Sequence, residues 1–209
     1  MKQELTEIVV VMDASGSMDS IRTDAVGGFN SFIEKQKTMP EAANLTVIFF
    51  DSNRYEKWQD GVDLRDCPVL GDEYMPGAST PLLDATGRTI EELGTRLENT
   101  PESERPGQVM VIVVTDGMEN SSTVFTKQKV KEMIRRQEEV YKWEFVFLAA
   151  NVDAFQEGDG MGFRRPNIAG YTSSKKGIRA VYAALSDATL CHRRSEGVKG
   201  LGREIGEDE

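Results

Sequence analysis

Apolar residues fall along this chain in two alternating rhythms. Ile8-Val9-Val10-Val11-Met12 and Val109-Met110-Val111-Ile112-Val113-Val114 are unbroken apolar runs. Each is too short to cross a membrane and rich in β-branched residues, the pattern of a strand buried on both faces of a parallel sheet. Leu45–Phe50 and Phe145–Ala150 repeat it, and Ile168–Tyr171 predicts a shorter strand. Between these runs apolar residues recur at helical spacing. Ile21, Ala25, Phe29, Phe32 and Ile33 form one such face; Leu82, Leu83, Thr86, Ile90, Leu93 and Leu97 form the next. Val130, Met133, Ile134 and Gln137 mark a third helix, and Ile178, Val181, Tyr182, Leu185 and Ala188 a last one. Ser52-Asn53 offers a turn into the charged segment Arg54–Trp58, which predicts a hairpin and one antiparallel edge strand. The whole pattern predicts an α/β fold, a central and mostly parallel sheet with helices on both faces.

The remaining stretches read as connections. Residues 61–76 are irregular, and Glu157–Phe163 reads as a flexible glycine-rich loop. Gly27-Gly28 interrupts the first helix at a cost of about 1 kcal/mol each relative to Ala, the usual reason being close approach to the sheet. After Ser195 the chain turns glycine-rich and acidic, predicting a disordered tail over 196–209 behind a single domain over 1–195.

Charge narrows the class of function. With 35 acidic against 25 basic residues the net charge is −10, which argues against non-specific binding to nucleic acid or to an anionic membrane. Two cysteines, Cys67 and Cys191, give no disulfide framework, and a reduced compartment is expected. The amino-terminal segment is polar and acidic, unlike a secretory signal, so a cytoplasmic protein is expected.

Candidate chemistry sits where the strands end. The first long run stops at Asp13-x-Ser15-x-Ser17, and the second stops at Thr115-Asp116-Gly117. A third loop, Gly77-Ala78-Ser79-Thr80-Pro81, opens a helix and adds the hydroxyl of Thr80. Open α/β sheets bind ligands at the carboxyl ends of their strands. Two carboxylates and three hydroxyls are hard oxygen donors, suited to Mg²⁺, Mn²⁺ or Ca²⁺. Serine capping of the first helix and an aspartate-capped turn is the alternative for each motif taken singly.

Taken together, Asp13-x-Ser15-x-Ser17, Thr80 and Asp116 resemble the metal-ion-dependent adhesion site (MIDAS) of the von Willebrand factor type A (vWA) domain family, over roughly residues 5 to 190. The resemblance implies a Rossmann-like fold with the metal held by Asp13, Ser15, Ser17, Thr80 and Asp116. It implies that the two serines bind the metal directly, the others directly or through water. It further implies an open coordination position for an Asp or Glu of a partner protein, and no catalysis. The chain looks like the small bacterial or phage cytoplasmic members of the family, a resemblance that implies work beside another machine such as an AAA+ ATPase or a stress-response complex.

Enzyme readings find less support. The only histidine, His192, falls on the apolar face of the last helix, and Cys67 has no other histidine to activate it. The alternative function is a Mg²⁺-dependent phosphohydrolase using Asp13, although Ser15 stands where such enzymes carry a second aspartate. Met18, Met75, Met118 and Met161 with Phe163 lie beside loops expected at one end of the sheet. They make either an apolar collar around a metal or packing beneath the loops.

Overall fold

The structure, a computed structural model, describes residues 1–150 and 153–205. In chain order the elements are β1 (Lys2–Asp13), α1 (Arg22–Lys37), β2 (Ala43–Asp51), β3 (Arg54–Asp63), α2 (Leu82–Asn99), β4 (Pro106–Thr115), α3 (Lys127–Tyr141), β5 (Glu144–Ala150), α4 (Ala154–Met161), β6 (Ile168–Tyr171), α5 (Lys175–Arg193) and β7 (Glu204–Ile205). One sheet runs β3-β2-β1-β4-β5-β6-β7, parallel throughout except for the hairpin partner β3 at the edge. β1 therefore lies between β2 and β4. The chain crosses back over it after β3, and a ligand cleft is expected at such a switch point.

Period-two alternation sorts β1 into two cores. Ile8, Val10 and Met12 face α1 and α5, packing with Phe29, Phe32, Val181 and Leu185. Val9 and Val11 face the other way, toward Leu82, Ile90, Leu93, Val130 and Ile134 of α2 and α3. Burial on both faces is why the run is unbroken rather than alternating with polar residues. Each such side chain withdrawn from water contributes about 1.5–3 kcal/mol before chain entropy is counted. No helix among the described residues is long and apolar enough to cross a membrane.

Three expectations change. Gly28 marks a close approach, but to α5 rather than to the sheet: a Cβ there would lie 2.3 Å from Tyr182 Cδ2. Most of the glycine-rich stretch expected as a flexible loop, up to Met161, lies in helix α4, started by the Asp153 carboxylate accepting from Gln156 N at 2.9 Å. Its Gly158 seats the helix on β5 and β6, since a Cβ would fall 2.9 Å from both Phe147 Cδ1 and Ile168 Cδ1. Third, the expected disordered tail contains β7. Gly202 N bonds Ile168 O at 2.8 Å, Glu204–Ile205 pair with Gly170–Tyr171, and Ile205 is buried beside Val198 and Leu201. Those apolar residues, spaced through a glycine-rich stretch, anchor it; the end of the predicted tail, 206–209, lies outside the described residues.

Candidate metal centre

β1 and β4 run side by side with Met12 opposite Val114, so the residues that follow, Asp13 and Thr115, emerge together at the carboxyl end. Thr115 Oγ1 donates to Asp13 Oδ2 at 2.6 Å, and Ser15 N donates to Asp13 Oδ1 at 2.7 Å. Both oxygens of this fully buried carboxylate are thereby fixed in direction. Past β1 the chain enters a 3₁₀ turn over Gly16–Ile21. Ser15 precedes it without any side-chain capping bond, so the serines are free for other work. The oxygens instead form a relay. Ser17 Oγ donates to Asp116 Oδ1 at 2.6 Å, and Ser15 Oγ lies 3.1 Å from Ser17 Oγ. Ser17's proton being committed to Asp116, Ser15 is the donor in the second bond.

The threonine loop lies across the exit of β1. Gly77 N donates to Ala14 O at 2.7 Å and Gly16 N donates to Ala78 O at 3.0 Å. Between these bonds Ala78 is held at φ 58°, a left-handed conformation that costs a residue with a Cβ about 1–2 kcal/mol and is found where neighbouring contacts over-determine it. Thr80 follows. A Cβ placed on Gly117 would lie 3.5 Å from Thr80 Oγ1 and 3.6 Å from Ser17 Oγ, so the two hydroxyls converge over Gly117 from different loops.

Other residues hold the frame. Thr80 N donates to Asn120 Oδ1 at 2.8 Å and Asn120 N returns to Thr80 O at 3.2 Å. The Glu119 carboxylate accepts from Leu83 N at 2.9 Å, at the start of α2, and from Ser121 N and Ser122 N. Asp84, in the first turn of α2, accepts from the backbone N–H groups of Thr123, Val124 and Phe125. Below the site, the hydroxyl of Tyr74 donates to Asp13 O, and that of Tyr171 donates to Thr115 O at 3.1 Å. Burial pushes both phenols well above their ordinary value, which keeps them protonated and donating. Periodicity and motif spacing mark none of these residues as supports. Thr115 belongs to Thr115-Asp116-Gly117, where its place beside the carboxylate is the one available signal. Tyr74 falls in the irregular stretch 61–76, which offers none.

Burial raises the Asp13 carboxyl from 3.8 to about 6, opposed by the Thr115 and Ser15 bonds and assisted by the nearby charge of Asp116. Burial also raises Asp116, opposed by Ser17. Among the described residues no Lys or Arg pairs with either carboxylate. Nor do three His, Cys, Asp or Glu side chains cluster there in the manner of a soft-metal or all-carboxylate site. The donor set of Asp13, Ser15, Ser17, Thr80 and Asp116 fits one hard divalent cation, whose charge would offset the two carboxylates.

The remaining sequence candidates separate from this centre. Met18, Met161 and Phe163 are buried packing, whereas Met75 and Met118 stay 60% and 63% exposed, so the expected collar reduces to two side chains. His192 is buried near the end of α5, at the opposite end of the sheet, and burial lowers its pKa so that it stays neutral. Both cysteines are free, and burial pushes the Cys67 thiol up to about 11, leaving it un-ionised at neutral pH.

No family model matches the sequence, and no curated protein matches it. Solved structures do resemble it. Proximal thread matrix protein 1 from the mussel byssus, in a structure with a zinc-occupied MIDAS motif, is 17% identical with a TM-score of 0.60, over 90% of this chain and 47% of that one. A von Willebrand factor type A structure from Catenulispora acidiphila is 13% identical with a TM-score of 0.55, over 90% of this chain and 43% of that one. The VWA domain of SpRpn10 is 11% identical with a TM-score of 0.54, over 87% of this chain and 95% of that domain. The chain thus spans about half the length of the mussel protein and most of the length of an isolated domain. Its sheet order and single antiparallel edge, read with these likenesses, give it the von Willebrand factor type A fold.

Proposed function

We propose that this chain is a metal-dependent protein-interaction module. Asp13, Ser15, Ser17, Thr80 and Asp116 hold a divalent cation, Mg²⁺ or Mn²⁺ before Ca²⁺, and a carboxylate of a partner protein completes its shell. One observation carries the reading: two buried carboxylates, with no basic partner among the described residues, meet three hydroxyls, the five groups coming from three loops. The bound cation supplies Lewis acidity toward an anionic ligand, and it stays electron-poor because only two of its five protein donors are charged. The chain's own part is to fix the donors. Thr115 and Ser15 N aim Asp13, Ser17 and Asp116 hold each other, and Asn120 sets the backbone of Thr80. The zinc-occupied MIDAS motif of the mussel protein is consistent with a divalent cation at this position, though not with one metal in particular.

Asp13 has both oxygens engaged and no exposure, which favours an anchoring ligand over a nucleophile and so this reading over a phosphohydrolase. The free cysteines accord with a cytoplasmic setting. An AAA+ ATPase or a stress-response complex is the kind of machine such a module serves.

Calorimetry with Mn²⁺ tests the metal site. Ser15→Ala/Ser17→Ala removes two direct donors and should cost at least about 100-fold in affinity, beyond what losing a supporting residue costs. Unchanged binding would sink the assignment. Thr80→Ala keeps the loop, whose backbone bonds to Asn120 do not involve the hydroxyl, and removes no charge. It should leave Mn²⁺ affinity within about tenfold of wild type. Chelator-sensitive capture of a partner protein should fall further than that, because the family resemblance ties the Thr80 contact with the metal to the state that accepts the partner. Equal losses in both measurements would argue against a partner bound through the metal.

A further inference from the structure

Two of the exposed large apolar side chains lie next to the centre, Met75 and Met118. Single exposed methionines are common and explain nothing alone. These two differ in being held out from fixed backbone. The carbonyl of Met75 accepts from the Arg54 guanidinium, which is itself tied to Asp51 Oδ2 at 3.0 Å, and two residues later Gly77 N is bonded to Ala14 O. Met118 lies between Gly117, which closes under the Thr80 and Ser17 hydroxyls, and Glu119, whose carboxylate locks the loop to α2. Each side chain is exposed although the backbone around it is hydrogen-bonded in place.

Their placement follows from the sheet. Arg54 opens β3, so Met75 is tied to the β2–β3 side of the site, while Met118 follows β4 on the other side. The exit of β1, with Asp13 and the serines, lies between. Strands are spaced about 4.8 Å apart, so the two flanks stand on the order of 10–14 Å from one another. An extended peptide advances about 13 Å over four residues and points every second side chain to the same face.

We propose that the partner segment is an extended peptide whose acidic residue reaches the cation while bulky apolar side chains two positions before and after it seat on Met75 and Met118. This rests on the metal-and-carboxylate reading above. Charge complementarity selects the acid at the centre, and the methionines select what surrounds it. Methionine suits the role because its unbranched, polarisable side chain adapts to several apolar shapes.

The test is selection of a phage-displayed random heptapeptide library on the full chain in Mn²⁺, with release by EDTA. Wild type should enrich peptides carrying one Asp or Glu with Leu, Ile, Phe or Met at both second positions. The Met75→Ser/Met118→Ser protein, altered only at exposed side chains, should enrich the acid without the apolar preference. A synthetic peptide of the enriched sequence should bind this variant about tenfold more weakly than wild type. An acid enriched by wild type with no apolar preference, or a preference unchanged in the variant, would overturn the proposal and leave the metal reading standing. If neither protein enriches EDTA-released acidic peptides, the metal reading itself fails and takes the proposal with it.

Discussion

In EDTA at pH 7.5, the Asp13→Asn protein should melt roughly 5–10 °C above wild type, although it has lost a residue of the functional centre. The expectation follows from the cost of an uncompensated buried charge. In the folded chain Asp13 binds its proton at about 6 against an ordinary value of 3.8. A group whose folded pKa is raised contributes stability that is complete below the unfolded value and is lost as pH rises through the folded one. A difference of about two units corresponds to something on the order of 3 kcal/mol missing at neutral pH. Asparagine removes the ionisation and keeps the bonds. Its carbonyl accepts from Ser15 N, and its amide donates to Thr115 Oγ1, whose proton can turn to Gly117 O at 3.1 Å. The advantage should shrink as pH falls from 7.5 toward 4. Adding Mn²⁺ at pH 7.5 should raise the melting temperature of wild type and leave the variant unmoved. A variant that melts at or below wild type in EDTA would show that Asp13 is not the burden its burial implies.

The second large effect lies at the other end of β1. Glu7 is 1% exposed and its carboxylate is held by Arg96 at 2.5 Å, with Asn44 Nδ2 at 3.1 Å and Thr46 Oγ1 at 3.3 Å. Arg96→Ala strands this carboxylate. Removing one partner of a buried pair typically costs about 3–5 kcal/mol, and since Arg96 is itself about a third exposed the lower end applies. Thermal unfolding should come roughly 5–10 °C lower. Glu7→Gln in the same chain should restore more than half of the loss, because a neutral amide can be buried on Asn44 and Thr46. The melting shift on adding Mn²⁺ should be unaltered in all these proteins, the pair being remote from the cation. Wild-type melting of Arg96→Ala would mean that Glu7 is rehydrated without cost.

The sequence made the scaffold legible wherever burial on both faces left a continuous apolar run, and both long runs announced their own ends with a carboxylate. Asp13, Ser15, Ser17 and Asp116 could be found because they immediately follow those runs, and Thr80 because it opens a helix. The contacts that hold them were not legible. Glu119 to Leu83, Asp84 to Phe125 and Tyr74 to Asp13 join residues far apart in the chain, and hydrogen bonds between loops carry no periodicity. Glycine misled in α4, since the same residue marks a mobile loop and a helix laid tightly on a sheet. In the last segment, low apolar content concealed Leu201 and Ile205, which suffice to add a two-residue strand to an existing edge.

The bonds of Glu119, Asn120 and Asp84 have a mechanical consequence. They clamp the segment from 117 to 125 onto the first turn of α2, and so Asp116 and Thr80, carried by different loops, ride on one rigid piece. The centre is therefore assembled from two parts rather than three: this piece, and the turn bearing Ser15 and Ser17. They are stitched together by backbone bonds, Gly77 N to Ala14 O and Gly16 N to Ala78 O. Among the described residues, the bond that Ser17 gives to Asp116 is thus the one link between them made by side chains of the proposed donor set, and Ser17→Ala would cut that link while leaving the backbone seam intact.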